Sequence, residues 1–122
     1  MRVMVIVKAT ADSENGLHDP TWTARMLEAM GRFNDALRAA DVLVAADGLK
    51  PSAHGKRVLF DGPGRTVVDG PFGPPAALVA GFWLWQVADM EEAVAWARRC
   101  PNPMPGPSEL EIRPLFEAAD LP

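Results

Sequence analysis

A single cysteine, Cys100, is all the thiol this 122-residue chain contains, so no intrachain disulfide can form and a reducing, cytoplasmic setting is expected. Cys100 also lacks a second Cys or a His at helical spacing, which leaves neither a metal site nor an evident thiol catalyst. Long hydrophobic runs are missing too. Val3 to Val7 is too short for a signal-peptide core or a membrane span, and Ala76 to Val87 is short and interrupted by Gly81 and Gln86. No excess of cations is present: 12 Lys and Arg against 16 Asp and Glu give a net charge of −4 and a pI near 5.1, which argues against nucleic acid as a partner. No phosphate-binding loop appears, because Gly62-Pro63-Gly64 has neither the Lys nor the following helix that such a loop needs. No cofactor, metal or membrane partner is therefore expected.

What is present describes one domain with an ordinary core: 48% hydrophobic and 23% charged residues. Thr66 to Gly73 organises the chain, a strand-like run ending in Asp69-Gly70-Pro71-Phe72 with a sharp change of direction at Gly70-Pro71. Ahead of it, Val3 to Val7 reads as a strand buried on both faces, and Ala9 to Pro20 as a polar loop. Asp19 and Pro20 suit the N-cap and first position of a long amphipathic helix to about Ala40, with Met26, Leu27, Met30, Phe33 and Leu37 on its apolar stripe. Val42 to Ala45 is a second strand closed by Asp47-Gly48. Lys56 to Phe60 and Arg65 to Val68 flank a four-residue turn, Asp61 to Gly64, as a hairpin. Leu78 to Val87 is a strand. Asp89 and Glu92 form a capping-box pattern opening a helix that Pro101 ends, with Met90, Ala93, Val94 and Ala97 as its buried stripe. Glu109 to Arg113 alternates as a strand with one wet face, and Ala118 to Pro122 is a tail. The order predicts an α+β fold, ferredoxin-like βαββαβ with an inserted hairpin.

Two helices cover only one face of such a sheet, yet its strands are apolar on both. One parity of Leu78 to Val87 carries Val79, Gly81, Trp83, Trp85 and Val87, the other Leu78, Phe82 and Leu84. An uncovered face would expose roughly several hundred Å² of apolar surface, which monomers rarely do. A homodimer through the sheet face is expected, the alternative being that the hairpin and the Pro-rich loop Asn102 to Ser108 fold over that face.

Taken together, Phe33-Asn34, Leu37-Arg38-Ala39-Ala40 leading into Val42-Leu43-Val44, Gly48-Leu49-Lys50-Pro51, Val67 to Phe72, Gly81-Phe82-Trp83, Glu92-Ala93 with Trp96-Ala97, and Glu111-Ile112-Arg113-Pro114 span nearly the whole chain. In this order they resemble the YCII-related proteins, in the subgroup named for Asp-Gly-Pro-Phe. The resemblance implies a dimeric α+β barrel with a largely unassigned role, sometimes described as linked to transcription initiation or sigma factors. Here Gly73-Pro74-Pro75-Ala76-Ala77-Leu78 replaces the charged run that usually follows the motif. The His–Asp pair of some wider relatives falls near Met30 and Cys100, so their acid–base chemistry does not carry over.

The candidate site residues each have a structural reading as well. Asp69 is the candidate catalytic carboxylate, or it caps the Gly70-Pro71 turn by accepting from the next backbone amides. His18, near a helix N-terminus with Asp19 and Arg25, is the candidate base, or an exposed loop residue; His54 is a weaker one. Asp47 and Lys50 could bind a polar ligand at the sheet's end or simply form a turn. Trp83, with Trp85 and Trp96, could line an aromatic pocket or fill the core and dimer interface. Phe72 is a lid over a cleft or an anchor for its loop. The reading is a cytoplasmic homodimer binding a small polar or aromatic molecule between sheet and helices. Its rivals are a cofactor-independent isomerase, lyase or oxygenase using Asp69 or His18, and a sigma-factor-linked accessory protein.

Overall fold

β1 (Arg2–Lys8) and β5 (Val79–Gln86) run antiparallel at the centre of a four-stranded sheet in the computed structural model, which describes residues Met1–Pro122. β2 (Leu43–Gly48) borders β5 and β6 (Leu110–Pro114) borders β1, giving the order β2-β5-β1-β6 with every pair antiparallel. That is the ferredoxin-like arrangement. β3 (Lys56–Asp61) and β4 (Gly64–Asp69) form a separate two-stranded hairpin inserted between β2 and β5. The helices are α1 (Ala11–Glu14), α2 (Pro20–Ala39) and α3 (Met90–Arg99).

Alternation in the strands decides what faces what. Val3, Val5 and Val7 of β1 are opposite Trp85, Trp83 and Gly81 of β5, and all are buried under α2 and α3. Phe33 of α2 stands edge-on to Trp83, Trp85 and Trp96, with ring centroids 5.9, 6.2 and 6.4 Å away, an arrangement that the charge distribution of aromatic rings favours. Leu37, Val42, Val87 and Ala93 belong to the same core.

The helix ends obey local chemistry. Asp19 Oδ1 accepts from Thr21 and Trp22 amides at 3.0 and 3.2 Å ahead of Pro20. α2 stops at a Schellman turn: Val42 N–H donates to Leu37 O at 2.9 Å, Asp41 N–H donates to Arg38 O at 3.0 Å, and Asp41 takes a left-handed φ of 57°. Asp89 caps α3 by accepting from Glu92 N–H at 2.8 Å. Glu92 returns a bond to Ala88 N–H rather than to Asp89, one residue earlier than a capping box requires.

The structure corrects several expectations. The polar segment after β1 is not all loop: Thr10 and Ser13 cap each other's backbone and create the single turn of α1. β2 continues through Asp47 and Gly48, since Asp47 and Gly48 pair with Phe82 and Gly81. The hairpin strands each run one residue further than expected, to Asp61 and from Gly64, so the four-residue turn Asp61 to Gly64 holds a two-residue loop, with Gly62 at a φ of 55° as the first central position of a type II′ turn requires. The tail carries a 3-10 turn, Ala118–Asp120, and Glu117 is clipped to Arg2 through paired 3.1 Å bonds. Val94 lies at the edge of its helix's buried stripe and is exposed, while Trp96 packs inward. Trp83 and Trp85 lie on the helix side, so the opposite face of the sheet carries Met4, Ile6, Phe82 and Leu84, all half-buried, in place of Trp and Val. The hairpin does not fold over that face: all twelve of its strand residues are exposed, Phe60 and Val67 among them. Met104 of the Pro-rich loop is instead buried in the main core.

Candidate functional site

The apolar stripe of α2 is continuous in sequence, but its two halves meet different surroundings. Phe33 and Leu37 are buried against the sheet, whereas Met26 and Met30 are half-buried and Leu27 is 61% exposed. Beneath this N-terminal half the sheet presents two glycines facing each other in register, Gly48 and Gly81. With no side chain there to fill the space between strands and helix, a cleft of about 530 Å³ opens. That volume is in the range of small-molecule sites. A methyl group at Gly48 would meet nothing within 4 Å, so this position is open space above the strand. One at Gly81 would stand 3.1 Å from Asp47 O, which accounts for the close approach of β2 and β5.

Met26, Met30 and Met104 form much of the wall, a set of flexible thioether side chains able to adjust to a ligand's outline. Met104 is positioned by the Pro-rich loop: Asn102 Oδ1 accepts from Met104 N–H at 2.9 Å, and Asn102 Nδ2 donates to Gly106 O at 2.8 Å. Thr10 Oγ1 lies 3.3 Å from Met104 Sδ. Polar groups in the cleft are few. Ser13 Oγ is engaged by Thr10, donating to its carbonyl and accepting from its amide. Asp47 is exposed and is the one charged residue in the lining. Asn34 Oδ1 accepts from the indole N–H of Trp83 at 2.8 Å.

Of the residues singled out in the sequence, the structure brings Asp47 and Trp83 to this cleft. Asp69 lies outside it, at the base of the hairpin, exposed and paired with Lys56 Nζ rather than capping the Gly70-Pro71 turn. His18, Arg25 and Lys50 are exposed and line no part of it. Phe72 is half-buried beneath the Arg57 guanidinium, 4.0 Å from its ring centroid. The motif around it is a splice. Phe72 N–H donates to Ser52 Oγ at 2.9 Å, and Ser52 in turn donates from its amide and hydroxyl to the Glu14 carboxylate at 2.9 and 3.0 Å. Gly70 N–H donates to Gly55 O at 3.0 Å, and a side chain on Gly70 would collide with Ser52 O at 1.8 Å. Asn34, Asn102 and the methionine wall were missed as site residues. The methionines matched a core stripe, and nothing local marks an asparagine whose partner is 49 residues away.

Away from the cleft, burial pushes the Cys100 thiol up to about 12, leaving it protonated and a poor nucleophile at neutral pH. The Glu117 carboxyl is held below its usual range by the hydrogen bond from Arg2, whose own value is raised by the same contact. No group of three or more His, Cys, Asp or Glu is arranged to hold a metal ion, and no helix is long and apolar enough to cross a membrane.

The sequence model of the YCII-related domain matches residues 1–117. An uncharacterized protein of Rhizobium meliloti (strain 1021) is 37% identical over 62 residues, which is 48% of this chain and 50% of that protein. The match thus spans about half the length of that curated relative.

Proposed function

The chain belongs to the YCII-related domain family, and on that footing we propose that it is a homodimeric α+β barrel protein that binds a small, largely apolar molecule in the cleft between α2 and the sheet. The observation that carries the binding reading is the glycine-floored cleft itself, walled by Met26, Met30, Trp83 and Met104. A role in binding is favoured over acid–base chemistry because neither Asp69 nor His18 lines that space. Membership of the Asp-Gly-Pro-Phe subgroup is part of the same proposal, resting on Asp69 to Phe72.

Two surfaces support the second copy. Met4, Ile6, Phe82 and Leu84 form an apolar sheet face. The hairpin is exposed on both sides with Val58, Phe60 and Val67 outward, and isolated two-stranded hairpins are marginal in water. A stable dimer needs roughly 800 Å² from each partner, and a sheet face plus a hairpin is of that order.

Methyl-labelled methionines test the binding half of the proposal, and light scattering the dimer. Adding naphthalene should shift the Met26, Met30 and Met104 signals and leave Met90 unmoved, and Gly48→Leu should abolish the response by filling the cleft. Naphthalene shifts that persist unchanged in Gly48→Leu would rule out the cleft as the binding site. Light scattering that finds a monomer at micromolar concentration would remove the dimer.

A further inference from the structure

One amide in the cleft wall, that of Asn34, has its orientation fixed by a neighbour. An indole N–H can only donate, so the Asn34 oxygen must be the atom facing Trp83, as its 2.8 Å contact requires. Reversing the amide would bring two donors together. The Asn34 Nδ2 group is thereby fixed pointing away from Trp83, and no carbonyl, carboxylate or hydroxyl of the chain accepts from it. It is a positioned, solvent-accessible donor on the wall of an otherwise apolar cleft, bonded to no other group of the chain. The remaining polar side chains there are spent or exposed: Ser13 is satisfied by Thr10, and Asp47 is solvated. No Lys, Arg or His lines the space, so an anionic ligand would leave water without a counter-charge.

Building on the cleft as the binding site, we infer that it selects an uncharged, compact apolar molecule carrying a hydrogen-bond acceptor, of which a ketone or aldehyde carbonyl is the simplest form, and that Asn34 Nδ2 donates to that acceptor. Trp83 is the positioning residue, acting through Asn34 to hold the amide in the donating orientation. The apolar body of the ligand lies against the methionines and Leu17.

Three probes of nearly equal size separate this inference from the reading it rests on: 2-isopropenylnaphthalene, 2-acetylnaphthalene and 2-naphthoate, titrated against the Met26, Met30 and Met104 methyl signals. One neutral hydrogen bond shielded from water corresponds to roughly a five- to tenfold gain in affinity. The acetyl compound should therefore bind about five- to tenfold tighter than the isopropenyl compound, which matches its shape but carries no acceptor, and the naphthoate more weakly than either. In Asn34→Asp, which keeps the acceptor for Trp83 but removes the donor, the acetyl-to-isopropenyl preference should fall to about one or below. Equal binding of 2-isopropenylnaphthalene and 2-acetylnaphthalene by the unaltered protein overturns the inference while leaving the cleft as a site. Tightest binding of 2-naphthoate overturns it as well. No response at these methionines to any of the three overturns both.

Discussion

Gly70→Ala tests the account of the Asp69 to Phe72 segment most directly. In the native geometry a Cβ at Gly70 would lie 1.8 Å from Ser52 O, 2.8 Å from its carbonyl carbon and 3.2 Å from Gly55 O. All three are backbone atoms, so no side chain can swing aside, and the two segments must separate by more than an ångström. Separation sacrifices the Gly70-to-Gly55 backbone bond and the Phe72-to-Ser52 bond, each worth about 1 kcal/mol net. The stacking of Arg57 on Phe72 contributes about 0.5–1 kcal/mol more. The expected destabilisation is thus about 2–3 kcal/mol, and because the hairpin has so little other attachment, it is the part released. Urea denaturation should show a lowered midpoint, and hydrogen exchange at β3, β4 and Phe72 should accelerate while β1 and β5 keep their relative protection. Gly31→Ala is the counterpart: Gly31 lies in the middle of α2 with nothing within 4 Å of its would-be Cβ, so alanine should stabilise by up to about 1 kcal/mol. If Gly70→Ala unfolds within about 0.5 kcal/mol of the unaltered protein, by the usual extrapolation, the splice is not what holds the hairpin.

Asp41→Gly should raise stability by about 0.5–1 kcal/mol, seen as a rise in melting temperature of a few degrees, because the left-handed φ of 57° at the end of α2 suits glycine better than aspartate. Trp83→Phe should cost at least about 1 kcal/mol more than Trp85→Phe in urea melts: it breaks the bond to Asn34, whereas the buried Trp85 indole N–H has no partner to lose. Asp69→Asn should change stability by less than about 1 kcal/mol and leave naphthalene affinity unaltered in the methionine titration, since the Lys56 pair is exposed and outside the cleft. The thiol of Cys100 contributes a pH dependence of definite sign. Its folded value near 12 lies above the unfolded one, so its contribution is complete below about pH 8.5 and declines as pH rises towards 12. Urea midpoints at pH 8 and pH 10.5 should differ less in Cys100→Ala than in the parent, and iodoacetamide at pH 8 should label Cys100 only on unfolding.

The elements themselves were legible in the residues. Alternating valines with Trp83 and Trp85, the Asp19-Pro20 start of α2, and turn residues around a hairpin are short-range chemistry, and each placed its element within a few residues. A cleft between sheet and helices with Asp47 and Trp83 on it was expected, but its methionine wall was not legible. Met26 and Met30 carry the same helical spacing as Phe33 and Leu37, and no property of α2 alone separates the half that touches the sheet from the half that stands off it.

What the amino-acid order determined by itself, then, is the ferredoxin-like succession of strands and helices, because hydrogen-bond periodicity, capping and burial parity act over a few residues at a time. Only the tertiary structure decided that the Asp-Gly-Pro-Phe segment is a splice and that the candidate site lies elsewhere. Those outcomes depend on which backbones approach each other across the chain: Gly70 against Ser52, Gly48 beside Gly81, Asn34 against Trp83. Such approaches are governed by packing of distant segments, for which a linear pattern carries no term.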